Sequence, residues 1–331
     1  MTDQSLLGLR DGMLYCAAGD FFIDPLRPVA RAVITHAHAD HARSGSARYL
    51  ASRASLALLE HRLGRRSSIS ALGWGEPVWV NGVRLSLHPA GHILGSAQVR
   101  IEYRGKVAVA AGDYKRAPDP TTPGFEVLAC HEFVSESTFG LPVYRWPDTS
   151  EIVQGVLDWW QQCEHNQQPA VLFCYALGKA QRLLAELAAH TDQTVWLHGA
   201  LVALTELYRR QGIAMLPTRP FSELPKSEPL AGKLVMAPPS AAASPWMKRL
   251  RGASTAFASG WMRIRGNRRR RGYDRGFVFS DHADWPALVD TCLATGAERV
   301  HVHHGQGDML AAWLGEQGLD ARTTRSPTVA A

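Results

Sequence analysis

The segment Thr35-His36-Ala37-His38-Ala39-Asp40-His41 constrains this chain more than any other stretch. Four side chains able to bind a metal ion fall within six positions, separated by alanines too small to block an ion's approach. The run before them, Val29 to Thr35 (VARAVIT), is apolar and β-rich, so the cluster is expected directly past a strand. Along extended backbone successive side chains alternate, which sends His36 and His38 to one side and leaves Asp40 and His41 to point onward. Two adjacent metal positions are therefore expected, each still short of ligands. His92, in Pro89-Ala90-Gly91-His92-Ile93-Leu94-Gly95-Ser96, stands between glycines that permit close backbone approach. Asp113 follows the apolar run VAVAAG and offers a carboxylate with two oxygens that can bridge.

The surrounding sequence divides in two. Up to about residue 145 it reads as short strands. Asn81-Gly82 between Val78–Val80 and Val83–His88 suits a type I′ hairpin turn, and Arg104-Gly105 makes a second hairpin. One helix is expected from Ser52 to Leu63, with Leu56, Leu59 and Leu63 on its buried face. From Trp146 the pattern becomes an alternation of strands and helices, the mark of a parallel sheet covered by helices. With 331 residues, 46% of them hydrophobic, the chain can bury two sizeable cores. Its longest nearly unbroken apolar run, Ala170 to Leu177, falls short of the roughly 18 residues a membrane span needs. The first residues carry acids and no basic leader, so no signal peptide is expected, and the reading is a soluble, cytoplasmic protein without a membrane partner. Five cysteines without C-x-x-C spacing fit buried thiols in a reducing compartment.

Charge is concentrated rather than spread. The formal net charge is +6, and the segment Arg263 to Arg275 (RIRGNRRRRGYDR) alone carries seven arginines against one aspartate. With Trp261 beside it and Tyr273 within it, this strip fits a nucleic acid: guanidinium groups pair with phosphates and aromatic rings stack on bases. Arg268, Arg269, Arg270 and Arg271 are its densest part.

The order H-x-H-x-D-H, P-x-G-H-x-x-G-S, G-D-Y resembles the metallo-β-lactamase superfamily. That resemblance implies an α/β fold, a four-layer αββα sandwich with a two-metal site at one edge. Three later segments narrow it to the β-CASP nucleases: Glu136 in Ser135-Glu136-Ser137-Thr138, His282 in Ser280-Asp281-His282-Ala283, and His304 in Val302-His303-His304-Gly305 resemble that group's additional motifs. The expected organisation is an N-terminal lactamase part over residues 1–145, an inserted β-CASP α/β domain over 146–262, and a C-terminal lactamase part over 263–331. On this reading His36, His38, His92 and Asp113 hold the first of two divalent ions. Asp40, His41, Asp113 and His304 hold the second, with Zn²⁺ favoured by the donor set and Mn²⁺ chemically acceptable. Asp40 is counted among the catalytic residues, with His282 as general acid oriented by Glu136.

Within the group, Tyr175-Ala176-Leu177-Gly178-Lys179 and Ser259-Gly260-Trp261 are similar to segments of cross-link repair nucleases. The whole is most similar to the bacterial DNA ligase-associated, Artemis-like DNA exonucleases. The resemblance implies DNA as partner, with single strands or ends as substrate, a functional link to an ATP-dependent DNA ligase, and nucleoid-associated activity in repair. Lys179, Ser259 and Trp261 are then substrate contacts. The alternatives are a β-CASP ribonuclease, favoured by a histidine at position 304, and a small-ester hydrolase, which needs neither the inserted domain nor the arginine strip.

Overall fold

The computed structural model of the chain describes residues 5–264, 266 and 272–324. They form two compact units: the chain up to Tyr144 and again from His282, and the segment Arg145–Asp281.

The first unit is built on two mixed sheets. In one, the strands Gly8–Arg10, Met13–Cys16, Phe21–Ile23, Arg31–Val33, Arg48–Ser52 and Ile69–Leu72 lie side by side in chain order. The first three pair antiparallel and the rest parallel. The seven-stranded sheet runs Asp320–Thr324, Arg299–His303, Glu132–Glu136, Lys106–Ala110, Ala97–Tyr103, Val83–Pro89, Val78–Val80. Its hairpins close at Asn81-Gly82 and Arg104-Gly105, whose four positive φ angles are those a two-residue type I′ turn requires.

The two sheets share one core. Leu14, Phe21, Ile23 and Val33 of the first pack with Val83, Leu85, Leu87, Val99, Ile101 and Ala110 of the second. Val83, Leu85 and Leu87 alternate with polar residues, so a period of two delivers one apolar face. On the other face of the seven-stranded sheet, Val109, Phe133, Val300 and Val302 meet the helices Trp285–Ala294 and Gly307–Glu316 through Leu288, Cys292, Leu310 and Leu314. Each fully buried aliphatic side chain there contributes about 1.5–3 kcal/mol.

The second unit has six parallel strands in the order Thr218–Pro220, Val195–Leu197, Leu234–Ala237, Ala170–Phe173, Ser254–Ala258, Arg275–Phe277. The helix Thr149–His165 opens on Asp148, whose carboxylate accepts from the Ser150 amide, and it buries Val153, Val156, Trp159 and Trp160 against one face of the sheet. The proline-rich segment 216–230 contributes the edge strand Thr218–Pro220, and Pro220 is tolerated there because an edge leaves one side unpaired. The second unit does not close near Met262. Arg275–Phe277 adds to Ser254–Ala258, so this unit keeps the chain to Asp281, and the return to the first unit lies at 281/282 rather than 262/263.

Arg268, Arg269, Arg270 and Arg271 lie outside the described residues. No helix among the described residues is long and apolar enough to cross a membrane. All five cysteines are buried and free.

Candidate metal centre

Within the first unit, the ends of several strands converge on one point. His36 to His41 follow the strand Arg31–Val33, Asp113 follows Lys106–Ala110, Glu136 ends Glu132–Glu136, and His304 follows Arg299–His303. Two glycines make the approach possible. Gly112 has φ +60°, and a Cβ there would come within 2.7 Å of the Thr35 side chain, so only glycine lets Asp113 close on the histidine loop. Gly305, at φ +70°, would drive a Cβ to 2.2 Å from the Ser137 carbonyl. Beside it His304 also adopts positive φ, and its carbonyl accepts a hydrogen bond from the Ser137 hydroxyl.

His36, His38, His92 and Asp113 present one ligand atom each within 4.8 Å of one another. His38 Nδ1 lies 3.0 Å from His36 Nε2 and 3.1 Å from His92 Nε2. Asp113 Oδ2 lies 3.6 Å from His36 Nε2, 3.7 Å from His92 Nε2 and 3.4 Å from His41 Nε2. The carboxylate separations are long for hydrogen bonds. They resemble the spacing of two ligands on one tetrahedral ion, about 3.3 Å for bonds of roughly 2.0–2.1 Å. The tautomers agree. The Thr35 hydroxyl donates to Asp24 Oδ2 at 2.5 Å and therefore accepts from His36 Nδ1 at 3.0 Å, which leaves the His36 Nε2 lone pair aimed at the cluster. The donor set thus fits a divalent cation.

The second expected set is looser. His41 Nε2 stands 3.8 Å from Asp40 Oδ2, the His304 ring lies 5.1 Å from that of His41, and the Asp40 side chain is 69% exposed. A small cavity bounded by His41, Asp24, Thr35, Glu136 and His304 adjoins these groups.

Asp24, which the sequence reading passed over, is the main addition. Its Oδ2 accepts from His41 Nδ1 at 2.8 Å, and its Oδ1 accepts from the Thr35 amide. One carboxylate thereby orients His41 directly and His36 through Thr35. The signal was faint: a single aspartate after the strand Phe21–Ile23, eleven residues before Thr35. Asp24→Asn is expected to lower metal affinity about 10–100-fold, the usual cost of removing an outer partner of a ligating histidine. Competition with a chromophoric chelator measures it, and an affinity within twofold of wild type would remove Asp24 from the centre.

Charge in the cluster is strongly perturbed. Burial, reinforced by the neighbouring His41, holds His36 well below the usual imidazole value, so it is neutral and ready to ligate. Burial also lowers His41, but the charges of Asp113 and Asp24 outweigh it and raise His41 well above that value. Burial works to raise Asp113, yet the charge of His41, then those of His282 and His36, hold it well below the ordinary carboxylate range. Burial lowers His304, and with the nearby His304 and His41 it brings His303 down to about 3. His303 bonds Thr324 at 2.8 Å, a structural role.

Glu136 and His282 meet beside this cluster. His282 Nδ1 is 2.9 and 3.0 Å from the two oxygens of the buried Glu136, which also accepts from the Tyr114 amide at 2.7 Å. The His92 ring lies tilted at 4.5 Å from the His282 ring, and Phe139 lies edge-on at 5.8 Å. Glu136 thus engages the ring through Nδ1, and Nε2 is the nitrogen on the opposite side.

The expected substrate contacts lie in the second unit. Lys179 is 4% exposed, and its ammonium pairs with the buried Asp281 at 2.9 Å, so its charge is already compensated there. Ser259 is buried and caps the short turn Gly260–Arg263, accepting from the Trp261 amide, while Trp261 packs partly buried against the neighbouring core.

No family model matches the chain. It is 32% identical, over 93% of its length, to a protein named probable DNA ligase from Opitutus terrae, of which it covers 30%. It is 29% identical to cleavage and polyadenylation specificity factor 73 of Drosophila melanogaster, over 39% of this chain and 19% of that one. With an RNase J-like protein of Methanocaldococcus jannaschii the identity is 23%, over 38% and 32% of the respective chains. The chain thus spans about a third or less of the length of these relatives. Among solved structures, a protein of unknown function from Enterococcus faecalis V583 shares the fold, with a TM-score of 0.58 and 13% identity over 82% of this chain and 74% of that one. Its motifs stand in order and their histidines and carboxylates gather at one end of paired mixed sheets, as the resemblance to the β-CASP branch of the metallo-β-lactamase fold family implies.

Proposed function

We propose that the chain is a two-metal-dependent DNA exonuclease, hydrolysing phosphodiester bonds from a DNA end in the 5′ to 3′ direction, in repair alongside an ATP-dependent ligase. The observation that carries this reading is Asp113, whose one oxygen faces His36, His41 and His92 while the Glu136–His282 pair stands beside it. His36, His38, His92 and Asp113 would hold one ion and Asp40, His41, Asp113 and His304 the other, with Zn²⁺ preferred by imidazole and carboxylate donors. Such a pair of ions supplies an activated water and charge stabilisation for in-line displacement at phosphorus. The protein's own part lies in orientation and proton transfer. Asp24 fixes the tautomers of His36 and His41, Glu136 holds His282 by Nδ1, and His282 gives its Nε2 proton to the departing 3′ oxygen.

The preference for DNA rests on the similarity to a protein named as a ligase. A ribonuclease is the second reading, favoured by His304 and by the relatives named for RNA processing. End-labelled linear DNA, closed single-stranded circles and RNA, each incubated with metal-loaded protein, separate the two. Linear 5′-phosphorylated DNA is expected to be shortened stepwise and at least about tenfold faster than circles are opened, since the barrier difference for one decade is about 1.36 kcal/mol. Circles cut as fast as linear strands would end the exonuclease claim, and faster cutting of RNA would move the chain to the ribonucleases.

A further inference from the structure

The loop that carries His36 to His41 has a second face. Ala39, inside the motif, and Ala42, just past it, line with Arg43, Ser44 and Arg62 an open pocket of about 420 Å³ in the first unit. Two guanidinium groups and a hydroxyl enter its lining, and among the described residues no carboxylate does. Arg62, near the end of the helix Leu56–Leu63, donates through Nε to the Ala37 carbonyl, which ties the helix to the motif loop. Its terminal nitrogens have no hydrogen-bond partner among the described residues. Arg43 is half-buried, and its Nε–H is a buried donor that meets no acceptor among the described residues.

Its backbone is nonetheless well held. The Arg43 carbonyl accepts from the buried Tyr49 hydroxyl at 2.9 Å, and that hydroxyl accepts from the Ser46 amide at 2.8 Å. A buried donor without an acceptor is costly, and native structures keep one where a ligand or water satisfies it. Two forked cations around one pocket match the oxygens of a phosphate, which guanidinium groups grip through paired N–H bonds. Asp40, a candidate metal ligand, is close enough for its charge to act on Arg62, so the pocket and the metal cluster are neighbours along one loop.

We propose that Arg43 and Arg62, with Ser44, form a subsite for a phosphodiester group of the substrate strand adjoining the one cleaved. The subsite rests on the nuclease reading, and its role is to position the strand: it grips backbone, reads no bases and serves DNA and RNA alike.

The test uses the full chain with Arg43→Gln, Arg62→Gln and the double substitution. Binding of a fluorescent single-stranded 12-mer, DNA or RNA, is followed by anisotropy in EDTA, where no cleavage occurs. The double variant is expected to bind both strands about tenfold or more weakly, and its log K against log[salt] slope to flatten by about 0.7 per lost phosphate contact. Strands with a single neutral methylphosphonate linkage locate the contact. One position should weaken binding to wild type and make no difference to the double variant. In cleavage, the loss of kcat/KM on the 12-mer is expected to exceed the loss on bis(p-nitrophenyl) phosphate at least tenfold, because the small diester has no adjoining phosphate.

Binding within twofold of wild type at an unchanged salt slope overturns the subsite, as does a methylphosphonate effect that survives in the double variant. Loss of bound metal in Arg62→Gln with wild-type strand binding would show that Arg62 only tethers the loop. A wild-type protein that cleaves neither DNA nor RNA refutes the nuclease reading, while the EDTA binding series still decides the subsite.

Discussion

Asp113→Asn is expected to reduce phosphodiester cleavage by at least about 10³-fold while the far-ultraviolet circular dichroism stays that of wild type. The carboxamide keeps the volume of the carboxylate but loses the negative charge that faces His36, His41, His92 and, at 4.0 Å, His282. It also loses the ability to bridge two cations. The several kcal/mol that paired ions supply to the transition state correspond to three or more decades at about 1.36 kcal/mol per decade. Metal content measured by plasma mass spectrometry should fall with activity. Asp40→Ala should act in the same direction with little effect on folding, because its side chain is 69% exposed and has few packing contacts to lose. Folded Asp113→Asn protein with activity within a few-fold of wild type would reject the two-metal mechanism.

His282→Ala should lower kcat on oligonucleotides by roughly 10²–10⁴-fold, the range general acid catalysis supplies, with strand affinity changing far less. The diagnostic comparison is the leaving group. An alkoxide needs a proton as it departs and p-nitrophenolate does not, so the same substitution should cost much less on a p-nitrophenyl phosphodiester. Glu136→Gln should fall on the same side of that comparison with a smaller loss, since it weakens the 2.9 Å contact that orients His282 without removing the imidazole. Equal losses on both leaving groups would show that His282 positions the substrate or the metals and does not deliver a proton.

Much of the centre was legible because its information is local. His36, His38, Asp40 and His41 occupy consecutive alternate and adjacent positions, and the strand before them sets their direction. The two hairpins were readable for the same reason: in Asn81-Gly82 and Arg104-Gly105 a glycine at the second turn position admits the positive φ of a two-residue turn, and the strands on either side lie next to it in the chain. The order of the remaining motifs supplied His92, Asp113, Glu136 and His282, which the structure brings within 4.8 Å of one another in overlapping groups.

What lay outside the sequence depended on partners distant along the chain. Asp24 gains its role only because the strand Phe21–Ile23 runs parallel to Arg31–Val33, which sets its carboxylate beside Thr35 and His41. Lys179 reads as an available cation until folding brings it to Asp281, 102 residues away, and buries both. Arg275–Phe277 belongs to the second unit because its edge pairs with Ser254–Ala258, a pairing that local pattern leaves open. Arg43 and Arg62 became a pair only when the helix Leu56–Leu63 docked on the Ala37 carbonyl. Side-chain chemistry, turn geometry and strand direction follow from neighbours a few residues apart and so belong to the sequence. Which buried charge meets which, and which edge accepts the next strand, is decided by closing long loops, where many arrangements of the same segments compete and only the packed whole selects one.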